Sequence, residues 1–212
     1  MRLLRIWVLS ALCFLGCLTA MAANSKADLN TYVRKYTSAT ISAEALRRLE
    51  QYDHLITYFT SFYYFQPNYR VSADFVRALI LAESAAYDDA VSEKEAIGLG
   101  QIILTTGQQA ARELYHSKTS FRYVEKERLR DISRDDLLDP ATNILLTCYL
   151  IAKYNNMFGG RLELVISAWN AGENTSSLAI GKYAPYTETK DLIGKVNGYY
   201  LYLLKQRGAL HY

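Results

Sequence analysis

The run Phe75-Val76-Arg77-Ala78-Leu79-Ile80-Leu81-Ala82 is apolar at all but one position and ends in Glu83. A segment this hydrophobic has to be packed, and it carries a carboxyl group into the packing with it. Val76, Leu79, Ile80 and Glu83 recur at spacings of three and four, so a helix from about Ser72 to Ala86 places the carboxylate on its inward flank. Low dielectric disfavours the charged form, which raises the pKa of such a group. A carboxylic acid that keeps its proton near neutral pH is the donor that glycosidic bond cleavage requires.

The same helical spacing runs through the rest of the chain. Ser42 caps a helix whose apolar positions Leu46, Leu49, Tyr52, Leu55, Ile56 and Phe59 form one face, with Pro67-Asn68-Tyr69 breaking it. Residues 88–97 read as a loop, and a further helix follows Leu104. The charged stretch from Lys118 to Arg134 reads as a solvated excursion. Asp139-Pro140 opens a long apolar helix that Gly159-Gly160 closes; Leu162 to Ala171 and Glu188 to Leu204 complete the set. Period-two alternation is absent, so the fold class is all-α. The organisation expected is residues 1–22 as an export signal, 23–54 as a loosely ordered, partly helical N-terminal segment, and 55–212 as one helical catalytic domain.

The first residues support that export signal. Arg2 and Arg5 precede an uncharged run from Ile6 to Ala20, and Ala20-Met21-Ala22 supplies small residues for cleavage. An uncleaved anchor, or lipid attachment at Cys17, are the alternatives, ranked below cleavage. Loss of Arg2 and Arg5 takes the formal charge from +3 to about +1, which gives no electrostatic case for nucleic acid. Cys13 and Cys17 leave with the signal, so Cys148 stands alone as a small buried hydrophobe. His54, His116 and His211 form no helical pair, and neither metal nor cofactor is expected. The eighteen tyrosines suit sugar surfaces or amphipathic cores.

Five ordered segments then carry a resemblance. They are Ala78-Leu79-Ile80-Leu81-Ala82-Glu83-Ser84, Ala90-Val91-Ser92 with Gly98-Leu99-Gly100-Gln101-Ile102, Asp139-Pro140-Ala141-Thr142-Asn143-Ile144, Ala168-Trp169-Asn170-Ala171-Gly172, and Tyr186-Thr187-Glu188-Thr189-Lys190. Together they resemble the soluble lytic transglycosylases, lysozyme-like enzymes that cut bacterial peptidoglycan. The resemblance covers roughly residues 55 to 205. It implies a helical fold related to goose-type lysozyme, with Glu83 as the single catalytic acid and base. It also implies that Ser92, Gly98, Gln101, Ile102, Trp169, Asn170 and Glu188 line the sugar site. The expected reaction cuts the bond from N-acetylmuramic acid to N-acetylglucosamine and leaves 1,6-anhydro ends. Peptidoglycan strands are the implied partner, with envelope or secretion-apparatus proteins as further ones and the periplasm or cell envelope as location.

Apart from the resemblance, no second carboxylate is assignable as nucleophile, because Asp88, Asp89, Glu93 and Glu95 fall in a polar loop. A saccharide-binding assembly module and a hydrolytic muramidase stand as alternative functions. Trp169 stands where the family has tyrosine, Gly100 where it has methionine, and Thr147 where it has glycine. Leu104, Glu95 and Lys190 depart from its proline, glycine and arginine.

Overall fold

A computed structural model of the protein describes residues 28–65 and 70–209. The expected export signal, the Pro67-Asn68-Tyr69 break and His211 lie outside the described residues. Among the described residues, ten helices follow in order: α1 (residues 28–35), α2 (Ala43–Glu50), α3 (Asp53–Thr60), α4 (Ala73–Ser84), α5 (Leu104–Tyr115), α6 (Arg134–Leu138), α7 (Pro140–Phe158), α8 (Leu162–Ala171), α9 (Ser176–Ala179) and α10 (Thr187–Gln206). None of the described helices is long and apolar enough to cross a membrane.

α7 runs through the core, with buried residues from Thr142 to Asn155 on most of its circumference. Its ends are set by local chemistry. The Asp139 carboxylate accepts from the Thr142 N–H at 3.0 Å and the Thr142 hydroxyl at 2.7 Å, Pro140 occupies the first turn, and Gly159 closes the helix at φ 60°. α4 is buried from Phe75 to Ala82 and packs chiefly against α10, while α8 bridges α7 and α10. Its one buried cation, Arg77, is paired with Asp53 at 2.8 Å and Asp74 at 3.1 Å, which offsets its desolvation.

Four expectations need correction. The helix expected from Ser42 through Phe59 is two, broken at Gln51 and Tyr52, and the Tyr52 hydroxyl donates to Asp88 at 3.0 Å. Both pieces face the core, so the apolar spacing continues across the break. The loop before Gly98 ends in a two-residue strand, β1 (Ala96–Ile97), paired antiparallel with β2 (Ile102–Ile103). The charged stretch 118–134 is less solvated than its composition implies: it buries Phe121, Val124, Leu129 and Ile132 around a 3-10 turn at Lys126–Arg130.

The N-terminal segment is also docked. Tyr36 and Lys35 both bond Asp191 on α10, at 2.8 and 2.7 Å, and Lys190 pairs with Asp28 at 2.8 Å. α10 admits it through two glycines. A Cβ at Gly194 would collide with the Tyr32 carbonyl, and one at Gly198 would lie 2.5 Å from the Tyr36 carbonyl oxygen.

Candidate active site

Glu83 occupies the last turn of α4, which stops immediately after it because Ala85 and Ala86 adopt left-handed φ values of 51° and 61°. The Ser84 hydroxyl donates to the Ile80 carbonyl at 3.2 Å and to the Leu99 carbonyl at 2.8 Å, tying the helix end to the hairpin. On the other side the Lys195 ammonium of α10 donates to the Ala82 carbonyl at 2.5 Å. The acid is thus held between α10 and the β1–β2 turn.

That turn is fixed from below by Asn143 of α7. Its amide donates to the Ile97 and Leu137 carbonyls at 3.0 and 2.8 Å, and its carbonyl accepts from the Gly100 N–H at 2.8 Å. Gly98 has φ 71°, and a Cβ there would lie 2.5 Å from both the Asn143 amide nitrogen and the Leu137 carbonyl oxygen. Close packing on α7 therefore requires glycine at that position. Gln101 is held at φ 51°, an unfavourable value for a residue with a side chain. Its Nε2 donates to the Ala90 and Gly98 carbonyls at 3.1 and 3.0 Å.

Glu83, Ser92, Gln101, Ile102, Trp169, Asn170 and Glu188 line one cleft of about 390 Å³. Residues more than a hundred positions apart are thereby brought together. Gly98 is the exception, since it is buried behind the turn and does not line the cleft. Of the acids following Glu83, only Glu93 reaches the cleft wall; Asp88 is bonded to Tyr52, and Glu95 pairs with Arg134. Sequence reasoning missed Lys94, Thr106, Leu150 and Tyr154. Leu150 and Tyr154 carried a usable signal, being four apart on α7 and so on one face of it.

The electrostatics of Glu83 follow from this setting. Burial pushes its pKa up to about 7, the Trp169 indole N–H and then the Lys195 ammonium pull it down, and the Glu188 charge pushes it up. Burial wins, so the proton is half retained near neutrality. Glu188 behaves oppositely. Lys94 at 2.5 Å is the main cause of its lowered pKa, which the Asn170 amide also favours, so it stays a carboxylate. Thr189 anchors Asn170 by donating to its side-chain oxygen at 2.5 Å. The cleft therefore holds Glu83, a carboxyl able to give up a proton, beside Glu188, fixed in the ionised form, with the Glu93 side chain also on its wall. Among the described residues, no cluster of three or more His, Cys, Asp or Glu side chains could hold a metal ion.

A family model described as Transglycosylase SLT domain matches residues 62–191. No curated protein matches the chain. Among solved structures, it is similar to the 70-kDa soluble lytic transglycosylase of Escherichia coli, with 23% identity and a TM-score of 0.56, over 74% of this chain and 24% of that one. An inactive mutant of the lytic transglycosylase Slt of Pseudomonas aeruginosa gives 21% and 0.55, over 74% and 24%. A complex of the 70-kDa soluble lytic transglycosylase with bulgecin A gives 22% and 0.53, over 72% and 24%. The match spans about a quarter of the length of each of these proteins. The likeness establishes the all-α, lysozyme-like fold expected from the sequence.

Proposed function

The chain belongs to the transglycosylase SLT domain family, and from that premise we propose that it cleaves peptidoglycan between N-acetylmuramic acid and N-acetylglucosamine, with Glu83 as both acid and base. The observation that carries this reading is a carboxyl group whose pKa stands near 7 on the wall of a cleft. Protonated Glu83 donates to the bridging oxygen as the glycosidic bond breaks, and the N-acetylglucosamine part leaves as an alcohol. The substrate's own N-acetyl oxygen shares the positive charge left on the anomeric carbon. Glu83, now a carboxylate, takes the proton of the muramic 6-hydroxyl as that oxygen closes on the same carbon. The acid is regenerated, and no water enters the balance. Tethering of the nucleophile to the reacting ring supplies the effective concentration that a separate water would lack.

Ser92, Gln101, Ile102, Trp169 and Asn170 are proposed as the sugar-holding wall, with Glu188 shaping it. Glu188 also motivates the second reading, a hydrolytic muramidase, since it is an ionised carboxylate in the same cleft. Its pairing with Lys94 and Asn170 argues against it as the base. A polymer outside the cytoplasmic membrane calls for export, which the pattern of residues 1–22 supports.

Mass spectrometry of fragments released from purified peptidoglycan tests the proposal. The expected products carry anhydro ends, one water lighter than reducing ends, and Glu83→Gln releases none. Reducing ends throughout would give the hydrolytic reading instead. Equal release by the wild type and Glu83→Gln would remove Glu83 from the chemistry.

A further inference from the structure

The main chain around Glu83 is held from three sides by three different elements. The Ala82 carbonyl accepts from Lys195 of α10, and the Ser84 hydroxyl reaches the Leu99 carbonyl in the β1–β2 turn. The third hold is on Ala85, whose carbonyl accepts from the Arg48 Nε of α2 at 3.1 Å. α2 precedes residues 62–191, the stretch that the family model matches. Carbonyls at a helix end have no partner within the helix, so a cation arriving from elsewhere both satisfies them and complements the helix dipole.

Arg48 is itself fixed on several sides. Its side chain is only 19% exposed, and its Nη1 donates to Glu44 at 2.8 Å. The flat face of the guanidinium lies 3.8 Å from the centre of the Tyr87 ring. A planar, forked cation can meet the carbonyl, the carboxylate and the ring together, which a compact ammonium cannot. One turn further on, the Tyr52 hydroxyl donates to Asp88 at 3.0 Å, so the turn after α4 is gripped at both ends.

That turn needs a grip. Ala85 and Ala86 stand side by side at φ 51° and 61°, where a Cβ crowds the backbone and glycine is the usual occupant. Strain of this kind persists only where the surroundings impose it. The direction in which α4 ends is settled there, and so is the start of the loop that brings Ser92 and Lys94 back to the cleft wall. The charge on Glu83 is governed by burial and by Trp169, Lys195 and Glu188, whereas Arg48 acts on the main chain.

We propose that Arg48 is a positioning residue for Glu83: by clamping the left-handed turn at Ala85 and Ala86, it fixes where the carboxyl group stands in the cleft. The assignment rests on the sugar-cleaving reading of that cleft. Arg48 does not line the cleft, so it acts through the turn and not by touching a sugar.

Initial rates of fragment release test this, measured on the full chain at increasing amounts of purified peptidoglycan and well below the melting temperature of each variant. Arg48→Met keeps the stem and removes the fork. It should lower the maximal rate about tenfold, within the roughly hundredfold that a misplacement of about 1 Å can cost, and leave the half-saturating amount within about twofold. Ala85→Gly added to it should bring the maximal rate back to within about threefold of the wild type, since glycine keeps such a turn without a clamp. A purely structural Arg48 would shift the melting temperature without this pattern. If Arg48→Met does not fold, Tyr87→Ala removes only the half-exposed ring against the guanidinium and should lower the maximal rate about threefold. An undiminished maximal rate in the folded variant, or a loss that Ala85→Gly leaves in place, would overturn the inference, and cleavage by the wild type would leave the sugar reading standing. No release by the wild type would overturn both.

Discussion

At the scale of single residues, the placement of Glu83 has a thermodynamic cost as well as a chemical use. Its ordinary pKa of 4.5 is raised to about 7 in the folded protein, first by burial. The folded state therefore binds this proton more tightly than the unfolded chain does. Stability contributed by the group is intact below about pH 4.5, falls as pH rises through the window, and is fully lost above about 7. The cleft admits some solvent, which discounts the penalty to on the order of 2 kcal/mol. Glu83→Gln, neutral throughout, should accordingly melt about 4–8 °C above the wild type at pH 8 and close to it at pH 4. A melting gap that does not change with pH would mean that the carboxyl group is well solvated. On the catalytic side, wild-type cleavage should decline as pH rises through about 7, because the donor form disappears. Trp169 bears on the position of that limb. An indole N–H can only donate, so it favours the ionised acid, whereas the family's tyrosine could also accept.

At the scale of elements, two departures from the family pattern become one. Gly100 in the β1–β2 turn and Thr147 on α7 were separate oddities in the sequence, yet a Cβ on Gly100 would fall inside contact distance of the Thr147 hydroxyl. The threonine takes the volume that a larger residue at 100 would need, and its hydroxyl oxygen is buried without a partner. Gly100→Met should overpack the turn and cost about 1–3 kcal/mol, and Thr147→Gly should cost about 1 kcal/mol, mainly through loss of its buried methyl group and less through helix propensity. The double variant should recover at least ~1 kcal/mol of their sum in urea denaturation. Strict additivity would show that the positions do not compete for space. Such couplings explain what was legible beforehand. Helices α4 and α7 were readable because their caps and breakers, Ser72, Asp139, Pro140 and Gly159, act on their own neighbours in sequence. The Gln51–Tyr52 break was hidden because both flanking helices bury the same face, and a two-residue strand is too short to show alternation. Glu83 announced itself by its apolar context. Lys94 and Thr106 did not, since their place in the cleft depends on packing between distant elements.

For the whole molecule, α10 is the member that joins the parts. Its first turn brings Glu188 into the cleft wall and across to Lys94, a contact between 71% and 59% exposed side chains. Its middle supports the end of α4 through Lys195. Through Gly194 and Gly198 it receives the main chain at Tyr32 and Tyr36. α2 extends the same core, burying Ala45 and Leu49 and sending Arg48 to the Ala85 carbonyl at 3.1 Å, so packing is continuous across position 54. The N-terminal segment could therefore be a brace for the cleft or a separately docked appendage, and Gly198 distinguishes them. A Cβ there would meet the Tyr36 carbonyl oxygen at 2.5 Å and its Cβ at 2.7 Å, and a backbone carbonyl cannot swing aside as a side-chain tip can. Gly198→Ala should lift residues 28–38 away, which limited proteolysis would report as faster cleavage in that stretch. Gly198 takes no part in the cleft, so peptidoglycan cleavage should stay within about twofold, because the ties of α10 to α4 and Lys94 are untouched. Loss of cleavage in a variant that still melts cooperatively would instead make the N-terminal segment a brace, acting through the α10 helix on which Glu188 and Lys195 both stand.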